Sequence, residues 1–416
     1  MKQQQCPVTG KTQIAVDLFD PAFVSNPYPV YTSLRNEAPV QRITLENGYP
    51  IWLVTRYDDV MAILKDNHRI TKVPGKAQLS DGELPALPFD NIDSMAMLSH
   101  HMLMMDPPDH TRIRTLVHKA FTPRHTEQLR PRIQQIANEL IDKVIANGKM
   151  DLIDDFAFPL PFTVIAELLG IPADDQDMFR KWSNLLTDGY TTEENLPLVQ
   201  EATHGFINYL QQIFSERRAH PSNDLISSLV AVEEAGDHLS EQELLSMVFL
   251  LLLAGHETTV NLIGNGMLAL LQHPEQLERL KLTPSLIEIA VEEMLRYDAS
   301  VATSTVRFAL QDIAIGDVVI PKGEEILLMT GAANRDENRF SQPDTFDITR
   351  TDNRHISFGH GIHFCLGAPL ARLEGAIAIS TLLHRLPAIR LAVPPDTLTR
   401  RPSMLIRGLH HLPVVY

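Results

Sequence analysis

Ten residues late in the chain, Phe358-Gly359-His360-Gly361-Ile362-His363-Phe364-Cys365-Leu366-Gly367, end a glycine-rich turn on a cysteine, and a helical pattern follows from about Leu366 to Arg385. At a helix start the unpaired backbone N–H groups and the positive end of the dipole favour a thiolate and lower the cysteine pKa. Pro369 falls in the first turn, where a missing N–H costs least. Gly361 and Gly367 carry no Cβ, so the backbone there can approach something flat and bulky. A lone cysteine is more often a small buried hydrophobe, so residues elsewhere have to decide its role.

Three other groupings bear on it. Ala254-Gly255-His256-Glu257-Thr258-Thr259 sets a carboxylate beside a hydroxyl within a long apolar stretch. Such a pair can position a water and pass protons, while an isolated helical threonine as readily bonds back to its own helix. Glu293-Met294-Leu295-Arg296 places opposite charges on neighbouring positions of one helical face. Alone, such a pair is a solvated contact contributing about 0.3–0.5 kcal/mol. Asp109-His110-Thr111-Arg112-Ile113-Arg114 puts His110 and Arg114 one turn apart, which by itself is ordinary surface polarity.

Taken together these segments resemble the cytochrome P450 family. The ten-residue loop matches its haem-binding pattern F-x-x-G-x-x-x-C-x-G, and Ala254–Thr259 is similar to the A-G-x-D/E-T-T stretch of its long central helix. The E-x-x-R pair is joined in that family by an arginine in P-x-x-F-D-x-x-R, and Pro343-Asp344-Thr345-Phe346-Asp347-Ile348-Thr349-Arg350 fits. The resemblance implies that Cys365 is the axial thiolate on haem iron, where electron donation favours O–O cleavage, in a loop shaped by Phe358, Gly361 and Gly367. It implies that His110, Arg114, Arg307 and His363 hold the haem propionates, and that Glu257 and Thr258 are catalytic in proton delivery. Glu293, Arg296 and Arg350 are then structural, beneath the cysteine loop. The implied fold is mainly α with a smaller β-rich region (α+β), haem lying between the central helix and the cysteine-loop helix.

The elements that must position these residues are legible in outline. A short helix is expected over 26–37, a strand over 50–55 and a helix over 57–65; residues 70–105 read as irregular. Asp109–Phe121 reads as a helix behind Pro107 and Pro108, and helical patterns fill most of 131–273. Strand character returns over 306–330, with a turn at Pro321-Lys322-Gly323. No linker composition appears, so residues 1–416 are read as one domain, with 1–25 an N-terminal segment expected to be partly mobile.

Composition sets the class. The 416 residues are 44% hydrophobic, and 36 Lys and Arg against 52 Asp and Glu give a net charge of −16. An acidic surface argues against nucleic acid and against anionic membranes. The longest apolar run, Met247–Gly255, is well short of the ~20 residues that cross a bilayer. Met1–Thr12 lacks the apolar core of a signal peptide. Two cysteines, Cys6 and Cys365, suit a reducing compartment. A cytoplasmic protein is expected.

The expected activity is O2-dependent hydroxylation of a bulky hydrophobic molecule: a polyketide, steroid, terpenoid, fatty acid or drug-like compound. The resemblance implies haem b (iron protoporphyrin IX) as cofactor, with NAD(P)H electrons arriving through a ferredoxin or flavodoxin and its reductase; a monomer is expected. Arg112, Lys119 and Arg372 are possible docking residues on the cysteine side. Met95 and Met97, Leu251 and Ala254, Val301 and Ala302, and Leu405 and Ile406 are the substrate-pocket candidates. After Tyr297, Asp298-Ala299-Ser300 stands where many relatives carry a proline, so pocket shape is this chain's own.

Three other readings are weighed. A peroxide-using haem-thiolate enzyme usually lacks the acid–threonine pair. A non-enzymatic haem sensor more often binds through histidine. Val260–Ile263 followed by Gly264-Asn265-Gly266-Met267-Leu268-Ala269 matches a dinucleotide fingerprint and would suit an NAD-dependent dehydrogenase; Pro274 leaves its crossover helix too short.

Overall fold

Apolar spacing from Leu244 to Leu270 folds as a single helix, Glu241–Gln272, about 48 Å long at 1.5 Å per residue. Ser240 starts it with a capping box: its hydroxyl accepts from the Glu243 N–H while the Glu243 carboxylate accepts from the Ser240 N–H. That arrangement satisfies two otherwise orphaned donors and is worth about 1 kcal/mol. The structure is a computed structural model describing residues 3–5, 12–45, 48–77, 97–172, 175–187, 195–234 and 239–416.

By length and composition this helix could cross a bilayer, yet 72% of its most apolar window is buried inside the protein. It is the axis of the main core, packed by helices Pro159–Leu169, Leu196–Ala219, Ile287–Tyr297 and Ala368–Arg385. Glycines make these approaches possible. A Cβ on Gly264 would lie 2.6 Å from Ile153 Cδ1, and one on Gly266 would lie 2.8 Å from Met294 Sδ. Both sit inside uninterrupted helix, so the G-x-G there serves helix packing. It forms no strand-to-helix phosphate loop, which removes the dinucleotide reading.

The β-rich part is a five-stranded mixed sheet ordered Val40–Thr44, Pro50–Val54, Glu325–Leu328, Arg307–Ala309, Ile70–Thr71. Pro50–Val54 runs parallel to Glu325–Leu328, with Trp52 opposite Ile326 and Val54 opposite Leu328. Ile70–Thr71 pairs antiparallel with the next strand, Thr71 opposite Phe308. A second core of Trp52, Val54, Tyr57, Val60, Ile326, Leu328 and Phe340 fills the space beneath. Ile313–Ile315 and Val318–Ile320 form a separate hairpin around Gly316, at φ 55°.

Some elements were not anticipated. Val40–Thr44 is a strand, and Lys149–Asp151, Arg390–Leu391 and Pro413–Val415 make a three-stranded sheet. Within 1–25, Ile14 and Leu18 are buried, and the carbonyls of Val24 and Ser25 accept from Arg407 at 2.8 and 3.1 Å. That part of the segment is therefore fixed to the body.

Candidate active site

The cysteine loop is held by its own backbone. Cys365 N–H donates to Phe358 O at 2.9 Å and Phe364 N–H to Gly361 O at 3.1 Å. Gly361 has φ 74°, and a Cβ there would meet Leu64 O at 2.5 Å; both facts require glycine. Its close approach is thus to the chain itself. At Gly367 an added Cβ would meet no atom within 4 Å, which leaves open space beside the sulfur.

Cys365 is exposed by surface area yet surrounded by protein, so its thiol faces an internal cleft. Burial pushes the thiol pKa up, opposed by the Gly367 N–H, Arg114, Arg372 and the Ala368 N–H. Those opposing groups are the helix-start donors and cations that favour a thiolate. Arg372 also lies 4.5 Å over the Phe358 ring and forms a two-pronged bond to Glu292 at 2.6 and 2.8 Å. Arg112 is paired with Glu243.

Above the loop is a cluster of cations and donors. His110 is 2% exposed, and neither ring nitrogen has a hydrogen-bond partner. Its ring lies 4.4 Å from that of His363. Burial drives the His363 pKa down to about 2, with Lys72, His110, Arg307 and Arg114 all adding to the shift. Arg307 is buried and donates to Thr305 O at 2.8 Å; its pKa falls to about 10 through burial. Arg114 donates to Phe364 O at 2.7 Å.

Among the described residues no carboxylate forms an ion pair with His110, Arg114, Arg307 or His363. An uncompensated buried cation costs several kcal/mol, so this arrangement fits a bound dianion. The two propionates of haem, with the cysteine on its floor and open space at Gly367, match that donor set.

Sequence reasoning missed Lys72 and His101. Lys72 is 2% exposed and its ammonium donates to Thr305 Oγ1, to Thr305 O at 3.3 Å and to Val306 O at 2.8 Å. Burial and Arg307 lower its pKa. His101 is buried with Nδ1 unpartnered, its pKa pushed to about 4 by burial. Strand pairing brings Lys72 beside Arg307, and no local motif marks it.

Opposite the cysteine side, the central helix is buried at most positions but exposed at Ala254, with Leu250, Leu253, Gly255 and Thr258 half-buried around it. This is the open face in the middle of the central helix. A Cβ on Gly255 would lie 2.9 Å from Ile165, so the helix is seated tightly behind. Leu251, expected on the open face with Ala254, is buried in the main core instead. Helical pitch gave the right stripe rotated by one position.

Thr258 Oγ1 donates to Ala254 O at 2.8 Å, the back-bonded alternative. Glu257 is 2% exposed and turned away from the cleft. Its Oε1 accepts from Arg401 Nη1 and, at 3.4 Å, from Asn261 Nδ2. The structure therefore puts Glu257 and Thr258 on one turn without bringing their functional atoms to the same face. Val301 pairs with Ile406 in an antiparallel bridge, and Ala302 N–H donates to Leu405 O at 2.8 Å. The structure thus brings those four pocket candidates together. Met97 is exposed, and Met95 and Cys6 lie outside the described residues.

Glu293 and Arg296 are fully buried. Arg296 Nε and Nη2 donate to the Glu293 carboxylate at 2.8 Å each, and Arg350 Nε donates to it at 3.1 Å. Arg296 also donates to the carbonyls of Asn334, Pro343 and Thr345. This knot ties helix Ile287–Tyr297 to the segment leading into the cysteine loop.

A helical body with a cysteine on a glycine-rich loop, a cluster of donors without a carboxylate ion pair among the described residues, and an acid–threonine turn on the central helix suits a haem-thiolate protein. Comparison with known proteins agrees. The family model described as Cytochrome P450 matches residues 44–282 and 285–406, and the chain belongs to that family. It is 50% identical over 403 residues to Cytochrome P450 107B1 of Saccharopolyspora erythraea, covering 95% of this chain and 96% of that protein. It is 49% identical over 395 residues to the Polyketide biosynthesis cytochrome P450 PksS of Bacillus subtilis, covering 94% and 96%. The crystal structure of myxobacterial cytochrome P450 CYP267B1 in complex with myristic acid superposes with a TM-score of 0.90 at 45% identity, covering 96% of this chain and 98% of that one. The protein is accordingly a haem-dependent monooxygenase of the bacterial P450 type.

Proposed function

We propose that residues 1–416 act as one domain that hydroxylates a bulky hydrophobic molecule of the polyketide type. Cys365 would hold the haem iron through its thiolate, and His110, Arg114, Arg307 and His363 would hold the propionates. Haem, when bound, supplies the activation of O2 for insertion into an unactivated C–H bond. The chain's own residues do the rest. Phe358, Gly361 and Gly367 shape the loop that presents the sulfur. Thr258, on the open face, re-aims its hydroxyl from Ala254 O to hold a water, and Glu257 supplies protons to it. Val301, Ala302, Leu405, Ile406 and Met97 exclude water and orient the substrate.

Electrons come from NAD(P)H through a ferredoxin or flavodoxin and its reductase, with the protein a cytoplasmic monomer. The observation that carries this reading is the enclosed donor cluster of His110, Arg307 and His363 beside the Cys365 loop, with which no carboxylate among the described residues forms an ion pair. The polyketide assignment is supported by the relative named for polyketide biosynthesis, and the myristate-bound neighbour makes fatty acids the competitor. Spectral titration of the haem-loaded protein with macrolactones, steroids and fatty acids tests it. Tightest binding to macrolactones is expected, whereas a response confined to fatty acids would refute the substrate class.

A further inference from the structure

The acid expected to deliver protons is stored away from the cleft, and the residue that stores it comes from the far end of the chain. Residues 399–410 form a loop closed by an Arg400–Leu409 bridge and by bonds from Arg401 N–H to Gly408 O and His410 N–H to Thr399 O, each 3.1 Å. It lies on a polar stripe of the central helix made by Glu257, Asn261 and Asn265, one turn apart. The approach is close, since a Cβ on Gly408 would fall 2.0 Å from Asn261 Oδ1. Arg400 Nη1 donates to Asn265 Oδ1 at 2.9 Å, and Asn265 Nδ2 donates to Arg407 O at 2.8 Å. Asp298, between Arg400 and Arg407 at 2.6 Å from each, fixes the loop to the segment that carries Val301 and Ala302.

Arg401 reaches Glu257 from this loop. The pair is nearly solvent-free, at 10% and 3% side-chain exposure. On the other carboxylate oxygen, His256 Nε2 stands 3.9 Å away without a hydrogen-bond partner, while His256 Nδ1 donates to Leu252 O at 2.7 Å. That bond fixes the neutral tautomer, and burial lowers the ring's pKa. Arg401, Asn261 and His256 thus surround the carboxylate, and Thr258 does not touch it.

The reaction RH + O2 + 2 e⁻ + 2 H⁺ → ROH + H2O needs two protons on the cleft side. A carboxylate held by a buried arginine cannot supply them until it turns. We propose that Arg401 is a positioning residue that latches Glu257 away from the cleft, so that opening of the Glu257–Arg401 pair gates proton delivery towards Thr258. The same loop carries Leu405 and Ile406, paired with Ala302 and Val301 and proposed above as substrate-orienting residues, so the latch sits on an element placed to respond to substrate. The inference rests on the reading of Glu257 and Thr258 as the proton-relay pair.

The test uses the full chain with haem and the variants Arg401→Gln, Arg401→Lys, Glu257→Gln and the double variant Glu257→Gln/Arg401→Gln. Thermal unfolding, which needs no turnover, reads the pairing: the double variant should melt no lower than Arg401→Gln alone. Fully additive drops would overturn the latch. Solvent deuterium isotope effects on turnover read the gate. The effect should fall roughly twofold in Arg401→Gln, fall by less in Arg401→Lys, and be indifferent to residue 401 once Glu257 is Gln. An unchanged effect in Arg401→Gln, or an equal response in the Glu257→Gln background, would overturn it. Should Arg401→Gln fail to fold, Arg401→Lys alone still decides, because Lys keeps the charge and loses the guanidinium fork: a partial fall in the effect supports the gate and none refutes it. If Thr258→Ala leaves coupling of electrons to product intact, the relay reading has failed before the latch is in question.

Discussion

Replacing Glu293 by Gln is the sharpest probe of how the cysteine loop is held. The Glu293 carboxylate accepts from Arg296 Nε and Nη2, Arg350 Nε, Asn353 Nδ2 at 3.1 Å and the Asp347 N–H at 2.9 Å. Glutamine keeps the shape but removes the charge and turns one acceptor into a donor facing donors. Arg296, with no side-chain exposure, is left as an uncompensated buried cation, a loss of about 3–5 kcal/mol. An unfolding entropy of about 2.1 cal/mol/K per residue, taken over 416 residues, gives roughly 0.9 kcal/mol/K, so the midpoint should fall by roughly 3–6 °C. Far-UV circular dichroism at a fixed scan rate measures it. Arg130→Ala, which breaks an exposed pair with Glu127, is the control and should leave the midpoint unchanged. If Glu293→Gln also melts at the wild-type temperature, the reasoning about this buried knot is wrong.

Thr258→Ala should retain haem while NAD(P)H consumption separates from product formation, because misplaced protons release peroxide; unchanged coupling removes Thr258 from the mechanism. Arg307→Gln should speed transfer of haem to an apo-globin acceptor on the order of 10- to 100-fold, the equivalent of one charge-assisted bond. Glu374, buried without a hydrogen bond of ordinary geometry although Thr259 is close, has its pKa raised by burial to about 8. A raised carboxyl pKa means the folded state binds more protons, so this group's contribution to stability is greatest below about pH 4.5, falls as pH rises, and levels off above about pH 8. Between about pH 5.5 and 7.5 wild type should lose on the order of 2–3 kcal/mol relative to Glu374→Gln, read from denaturant midpoints; parallel profiles would contradict it.

What could be read from the sequence was local. The cysteine loop, the acid–threonine turn and the Glu293–Arg296 pair each lie within one turn or one helical face, where spacing fixes geometry. The central helix was legible because its apolar pattern runs from Leu244 to Leu270 without a proline. What escaped was non-local. Lys72 joins the donor cluster only because Ile70–Thr71 pairs with a strand more than two hundred residues later, and Arg401 meets Glu257 across 144 residues. Leu251 was misplaced because helical pitch groups residues into faces but does not say which face meets the cleft.

The central claim is that Cys365 carries the haem iron as a thiolate. The reduced protein under carbon monoxide should show the strongly red-shifted Soret band of thiolate ligation, lost in Cys365→Ala and kept in Cys6→Ala. A histidine-type spectrum in the wild-type protein, or a thiolate band that survives Cys365→Ala, would contradict it.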